Sequence, residues 1–481
     1  MNAKCFAPRG HHVLQHYPPV LLALQSFTTR TGRTIMLRAI SDQWDVSYLR
    51  VPQELLDRII DDLRDDFETL KVCSLTCRSL LSQSQSHIFS AIRLESQRSC
   101  VHLCSVAEVN PQLLEYVHEL TLANFDHQWR SPGSNRHIAF ILNTTTSLRS
   151  LCMWSVLDTH TPRPWQHIPQ DVQKALFNAI CSPSLVALRI ADIAIPRALF
   201  SLNIRLKHLS LTGVSLDWGG QQDELYSGGP VRMSTQTFEL SLHHLQDTRS
   251  FLSAISHPDS FVSQIKRLVI TDVGHTASLA VPIIKLAFQS LKTIQLQDMP
   301  DGDPPKYWFT HDFSLTPNLQ HLAFHFILNF DSYMGFLERS SIAFRQIFDF
   351  LRLNPSALRL KRIDIQFTPW WSRFYNTAAP MWRRILHLLG RADDWSMLDE
   401  LLDVYRDPAS AGQSVSFELG IIKVGGHHYI GRAFEHDWGN EMEEIKRTWQ
   451  ETIRARMPRV SQGGALITDV IPDVDIWTSR L

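Results

Sequence analysis

Residues 206–211 read Leu-Lys-His-Leu-Ser-Leu, and the spacing Leu-x-x-Leu-x-Leu returns along most of the chain. Leu148-x-x-Leu151-x-Met153 and Leu185-x-x-Leu188-x-Ile190 precede it. Ile265-x-x-Leu268-x-Ile270, Leu291-x-x-Ile294-x-Leu296, Leu319-x-x-Leu322-x-Phe324 and Leu360-x-x-Ile363-x-Ile365 follow. Val117-x-x-Leu120-x-Leu122 fits as well, and Thr237-x-x-Leu240-x-Leu242 fits loosely. Successive side chains of an extended segment point to opposite faces, so the fourth and sixth positions mark the buried side of a short strand. Helical stretches separate the strands at 172–180, 248–255, 281–288 and 341–353.

One strand and one helix per unit resembles the leucine-rich repeat. The resemblance implies an α/β fold in which residues 91–430 stack as an irregular solenoid with a curved parallel sheet. The intervals are uneven: 21 residues from Leu188 to Leu209, 28 from Leu240 to Leu268 and 41 from Leu322 to Ile363. A less regular α/β layer fits the same strands. In a parallel stack the x positions inside and after each hexad face the concave surface. They include Arg189, His208, Arg267, Gln295, His321, His325 and Arg362, with Ser210, Thr293, Gln297 and Asp364 beside them. This set is polar with a slight basic lean, and it suits either a solvated sheet face or a surface that holds an acidic or phosphorylated protein segment.

A second region begins Val-Pro-Gln-Glu-Leu-Leu at 51–56. Pro52 stands where the first turn of a helix tolerates proline, and Glu54 and Asp57 lie near the positive end of the helix dipole. Leu55, Leu56, Ile59, Ile60 and Leu63 then recur at helical period. Asp65 and Glu68 have capping-box spacing for a second helix, which the apolar run from Leu70 to Leu81 is expected to fill. A third short helix is expected at about 84–89. A unit of about 40 residues is near the lower limit for a self-sufficient core, so apolar surface should be left exposed and mark an interface.

These residues resemble the F-box, with wording similar to the large F-box-like families of mushroom-forming fungi. The likeness rests on Val51 to Leu56, Ile59, Ile60, Leu63, Asp65-Asp66, Cys73-Ser74-Leu75, Cys77-Arg78 and His87-Ile88-Phe89. It implies docking onto the Skp-type adaptor of a cullin–RING ubiquitin ligase, through Pro52, Leu55, Leu56, Ile59, Ile60, Leu63, Cys77 and Leu80. Together the two resemblances imply a receptor that recruits an unidentified protein substrate, in the cytoplasm or nucleus. A leucine-rich-repeat scaffold whose F-box-like module no longer docks is the alternative.

The expected organisation is a disordered leader at 1–47, a helical module at 48–90, the repeat domain at 91–430 and a C-terminal helix and capping strand at 431–481. The leader holds no Asp or Glu before Asp42, which also resembles an organellar transit peptide and keeps open a targeted hydrolase with an unrecognised site. Two insertions stand out, a Gly-rich loop at 217–233 and an aromatic cluster at 368–382 that suits either a partner anchor or a core cap.

Composition is that of an ordinary folded chain: 481 residues, 44% hydrophobic, 20% charged, net charge −1. That balance gives no electrostatic case for nucleic acid or an anionic membrane. Seven cysteines in this length read as buried thiols rather than a disulfide framework or a zinc site. No GxxxxGK[ST], GxSxG or HExxH motif occurs, so no catalytic, cofactor or metal residues are expected.

Overall fold

The computed structural model describes residues 27–28, 34–35, 51–123, 132–155, 164–196, 199–200, 204–217, 234–241, 248–256, 260–271, 273–296, 316–329, 351–352, 354, 360–370, 394–406, 416–422, 439–462 and 466–471. The chain divides into two compact units, Met1–Ile88 and Phe89–Leu481.

In the first unit, β1 (Phe27–Thr28) and β2 (Thr34–Ile35) pair antiparallel inside the stretch read as a disordered leader. Three helices follow: α1 (Gln53–Asp62), α2 (Phe67–Thr76) and α3 (Arg78–Ser90). Pro52 opens α1, and its carbonyl accepts from the N–H groups of Leu55 and Leu56. The expected cap of α2 is displaced by one residue. Asp66, not Asp65, accepts from the Thr69 N–H at 3.1 Å and from the Thr69 hydroxyl at 2.8 Å. Cys77 ends α2 in extended backbone, so Leu80 and Leu81 belong to α3, which starts six residues earlier than expected. Its Ser- and Gln-rich first turns carry little apolar periodicity to announce it.

The second unit is mixed α/β. Its strands are β3 (Ala91–Leu94), β4 (Glu119–Ala123), β5 (Ser150–Trp154), β6 (Ala187–Ala191), β7 (Ala194–Pro196), β8 (His208–Thr212), β9 (Ser215–Asp217), β10 (Thr237–Ser241), β11 (Arg267–Thr271) and β12 (Thr293–Leu296). β13 (His321–Asn329), β14 (Arg362–Trp370), β15 (Ser416–Ile422) and β16 (Leu466–Ile471) complete the set. Twelve of them, all but β7 and β9 in this unit, form one parallel sheet in unbroken chain order from β3 to β16. The stretch from residue 431 onward does not stand apart, because β16 pairs in parallel with β15. A parallel pair needs a crossover. α4 (Gln97–Val109), α5 (Pro132–Thr144) and α6 (Gln170–Ile180) lie in the first three, and α7 (Thr248–Ile255) and α8 (Val273–Leu286) in those from β10 to β11 and from β11 to β12. α8 begins well before the expected 281–288 and runs through Pro282. Near the C-terminus come α9 (Asp394–Arg406), α10 (Gly439–Arg456) and α11 (Pro458–Gln462).

Strand register follows the hexads. Leu209 lies beside Leu188 and Phe238, and Leu211 beside Ile190 and Leu240. The fourth- and sixth-position side chains from Leu120 to Ile365 are sealed from solvent and build one continuous core. The loose hexad read from Thr237 shifts back by two residues. Phe238 fills its fourth position and Leu240 its sixth, and Thr235 stands buried where leucine, isoleucine or valine opens the others. β3 was not expected; Phe89-x-x-Ile92-x-Leu94 carries the same spacing.

Beyond the sheet core, Asp399 of α9 holds the start of α11. Its carboxylate accepts from the N–H groups of Arg459 and Val460 at 3.1 and 3.0 Å, satisfying helix donors that have no partner within the helix. Trp395 and Trp449 pack edge to face beside it, 6.2 Å between ring centres. Two neighbouring strands of the sheet also share a corner. Asp192 follows β6 with φ +57° and Gly213 follows β8 with φ +58°. The Asp192 N–H donates to the Thr212 carbonyl at 2.9 Å. A Cβ on Gly213 would collide with the Asp192 carboxylate.

Two stability outcomes follow from this packing. Leu209→Ala should cost about 2–5 kcal/mol by leaving a cavity in the apolar row. Gly213→Ala should cost about 1–3 kcal/mol, because it adds left-handed strain to the collision with Asp192. Denaturant midpoints read both, and an unchanged Gly213→Ala midpoint would remove the corner's role.

Candidate docking and recognition surfaces

The helical module turns α1 against the usual expectation for an amphipathic helix. Gln53, Asp57 and Asp61 recur every fourth residue, and Gln53 and Asp61 bond to α3. The Gln53 amide donates to the Asp57 carboxylate and to the Ser79 carbonyl, each at 2.7 Å. Asp61 accepts from the Gln83 amide at 2.6 Å and meets His87 Nε2 at 2.7 Å. The hydrogen bonds from Gln83 and then His87 hold the Asp61 carboxyl below its ordinary value, against a small opposing effect of burial.

With a polar stripe bound to α3, an apolar stripe of α1 is left in solvent. Val51, two residues before α1, and Leu55 and Ile59 within it, again spaced by four, are 50%, 51% and 47% exposed. α2 adds Phe67, Val72 and Leu75, the last 87% exposed. Lys71 lies over the Phe67 ring at 4.4 Å while pairing with Glu68 at 2.8 Å. Of the residues expected to dock, Pro52, Leu55, Ile59 and Cys77 are exposed, and Leu56, Leu63 and Leu80 are half-buried. Ile60 is fully buried and corrects the expectation. Ile59 and Ile60 are neighbours about 100° apart on a helix, so one of them turns inward. Val51, Phe67, Val72 and Leu75 are exposed apolar residues that the expected docking set left out, although the surplus of apolar positions on the second helix was the available signal.

The expectation of buried thiols holds for only two of the six described cysteines, since Cys73 and Cys152 are half-buried and Cys77 and Cys181 exposed. Cys100 and Cys104 are buried in α4, and burial pushes their thiols up to about 12 and about 11. Cys77 is exposed at the end of α2, not in a helix core. Among the described residues no three His, Cys, Asp or Glu side chains are grouped to hold a metal ion, and no helix is long and apolar enough to cross a membrane.

On the sheet, all seven expected recognition residues fall on the face opposite the apolar rows. His208, Arg267, His321 and Arg362 are the first residues of β8, β11, β13 and β14. Arg189 and Gln295 occupy the third place of their strands, and His325 the fifth. The face is internally satisfied at several points. Arg267 donates to the Gln295 side chain at 2.6 Å. Asp364 accepts from Arg362 Nε at 2.6 Å and meets His321 Nε2 at 2.8 Å. Burial pushes the Asp364 carboxyl up, yet the bonds from His321 and Arg362 outweigh it and bring the net value below normal. Burial raises the Glu239 carboxyl, in the third place of β10, and Arg189 offsets part of that rise. Gln295 and His325 are only 8% and 7% exposed, so they are corrected from contact residues to buried residues of that face. Gln297, the loop at 218–233 and the aromatics of 371–382 lie outside the described residues.

Burial holds His325 near neutral charge, lowering its value to about 4 from 6.5. Between pH 6.5 and 4 the unfolded chain therefore binds a proton that the folded chain refuses, so this group's contribution to stability is lost as pH falls through that window. The full effect is about 3 kcal/mol. His325→Gln should flatten the pH dependence of stability between 6.5 and 4 relative to the parent chain. Parallel slopes in urea titrations across that range would contradict the assignment.

No protein-family model and no curated protein matches the chain.

Proposed function

We propose that the chain is a substrate-recruiting subunit of a cullin–RING ubiquitin ligase, with an F-box-like module that docks a Skp-type adaptor and a leucine-rich-repeat solenoid that holds a protein target. One observation carries this reading. Leu55 and Ile59 of α1, with Val51 just before the helix, stand half-exposed, while Gln53 and Asp61 of the same helix are bound to α3. Isolated apolar side chains on a surface need no explanation, but a continuous stripe backed by a satisfied polar side marks an interface. A second helix with Phe67, Val72 and Leu75 exposed widens the apolar surface.

The sheet supports the second half. Strands added in chain order, all parallel, with a helix in most of the early crossovers, are the arrangement that stacked strand–helix repeats produce. The uneven repeat length is absorbed between strands, because the register from Leu188 to Ile363 holds at every step. Such a receptor contributes no chemistry. It raises the effective concentration of a target beside a catalytic subunit.

Replacing both Leu55 and Ile59 by Asp should abolish copurification of the Skp-type adaptor and leave the sheet unit folded, as judged by an unchanged far-UV spectrum and melting temperature. Adaptor retained by the double variant would contradict the docking face. A parent chain that brings down no adaptor at all would favour the alternative, a leucine-rich-repeat scaffold with a disused module.

A further inference from the structure

The residue just before each sheet strand forms a row of its own. Backbone N–H groups tie these residues strand to strand: Val186 to the Arg149 carbonyl, Lys207 to Val186, Lys266 to Gln236 and Lys292 to Lys266, at 2.7–2.8 Å. Arg149, Lys207, Lys266 and Lys292 are therefore held in line at the N-terminal lip of the sheet, and all four are exposed. Lys361 and Arg362 continue the line at β14, where Arg362 is tied to Asp364.

Two features separate this strip from an ordinary solvated surface. The whole chain has net charge −1, yet from β5 to β14 neither the residue preceding a strand nor the first strand residue is Asp or Glu. Moreover, Arg149, Lys207, Lys266 and Lys292 have no ion-pair partner among the described residues. The convergence is felt by the neighbouring imidazole: burial holds His208 low, and Arg267, Lys207 and Arg189 push it further.

We propose that this lip binds an extended acidic segment of a partner polypeptide, laid across the strands with its carboxylates against Arg149, Lys207, Lys266 and Lys292. Eight neighbouring strands at about 4.8 Å give a strip of about 34 Å, which an extended segment of about ten residues spans. A peptide fits better than single-stranded nucleic acid. Nucleic-acid grooves pair their cations with aromatic side chains on which bases stack. Among the described residues, neither the strip nor the first and third places of strands β4 to β14 contain Phe, Trp or Tyr. The proposal names the chemistry of the target, and it stands on the sheet unit whether or not the N-terminal helices dock an adaptor.

The test is fluorescence anisotropy on the full chain with a labelled twelve-residue alternating Glu-Ala peptide, its Gln-Ala counterpart and a twenty-residue oligo-dT. The Glu-Ala peptide should bind at least tenfold more tightly than the Gln-Ala peptide and should weaken as salt rises. The quadruple variant R149E/K207E/K266E/K292E should lose that binding by tenfold or more while keeping its adaptor capture and melting temperature. If charge reversal impairs folding, R149Q/K207Q/K266Q/K292Q serves in its place, with a smaller loss expected. Equal binding of the Glu-Ala and Gln-Ala peptides, binding unchanged in the variants, or oligo-dT binding more tightly than the acidic peptide would each overturn the proposal. Loss of adaptor capture by the L55D/I59D chain has no bearing on it, so the two readings fail separately.

Discussion

Two rows of apolar side chains, running unbroken across parallel strands, hold the larger unit together. Each strand contributes a fourth- and a sixth-position residue, and each pair meets its counterparts on the neighbouring strands in strict register. The side-chain period of a strand is two, so a slip of one residue would carry both rows into solvent. That penalty is what tolerates repeats of such uneven length. Insertions of any size can leave between strands provided the next one re-enters on the same step. The opposite face, freed from core duty, carries the charged and polar residues, and the first residue outside each strand is freer still. Core and candidate recognition surfaces are thus consequences of one alternation.

The small helical unit obeys a different constraint. Three short helices enclose too little volume to bury every apolar residue they carry. The chain resolves the excess by using polar bonds where a core contact would be expected. Gln53 and Asp61 clasp α3, and the Val51, Leu55 and Ile59 stripe is left in solvent. Exposed ion pairs and hydrogen bonds of this kind each contribute little. Their effect is on direction, because they fix which side of α1 faces out. Ile60 and Leu70, both fully buried, supply the apolar anchor that keeps the arrangement compact.

Much of this was legible in the residues. The hexads located the sheet strands from β4 to β14, though not β7 or β9, and a C-terminal helix and strand lie within the expected 431–481. What was hidden had physical causes. β3 shares the hexad spacing, but its opening Phe89 reads as the end of a helix. At β10 a phenylalanine and a buried threonine replace two leucines, so a search for leucine finds a register two residues late, on the correct face. The cap of α2 was misassigned because two adjacent aspartates are equal on paper and only one reaches Thr69. His325 and Gln295 looked available because period alone does not tell how much of a face stays open to solvent. The lysine row escaped notice for a related reason. Its residues lie one step outside the strands, and only the strand-to-strand backbone bonds bring them into line.

The central claim is that the chain presents an apolar stripe of α1 to solvent until a partner covers it. Hydroxyl-radical footprinting read by mass spectrometry, which reports the accessibility of individual side chains, addresses this directly. In the isolated chain Leu55 and Ile59 should oxidise rapidly and Ile60 slowly, and added Skp-type adaptor should protect Leu55 and Ile59 without altering Ile60. Leu55 and Ile59 as slow as Ile60 in the isolated chain would show the stripe already covered and contradict the account.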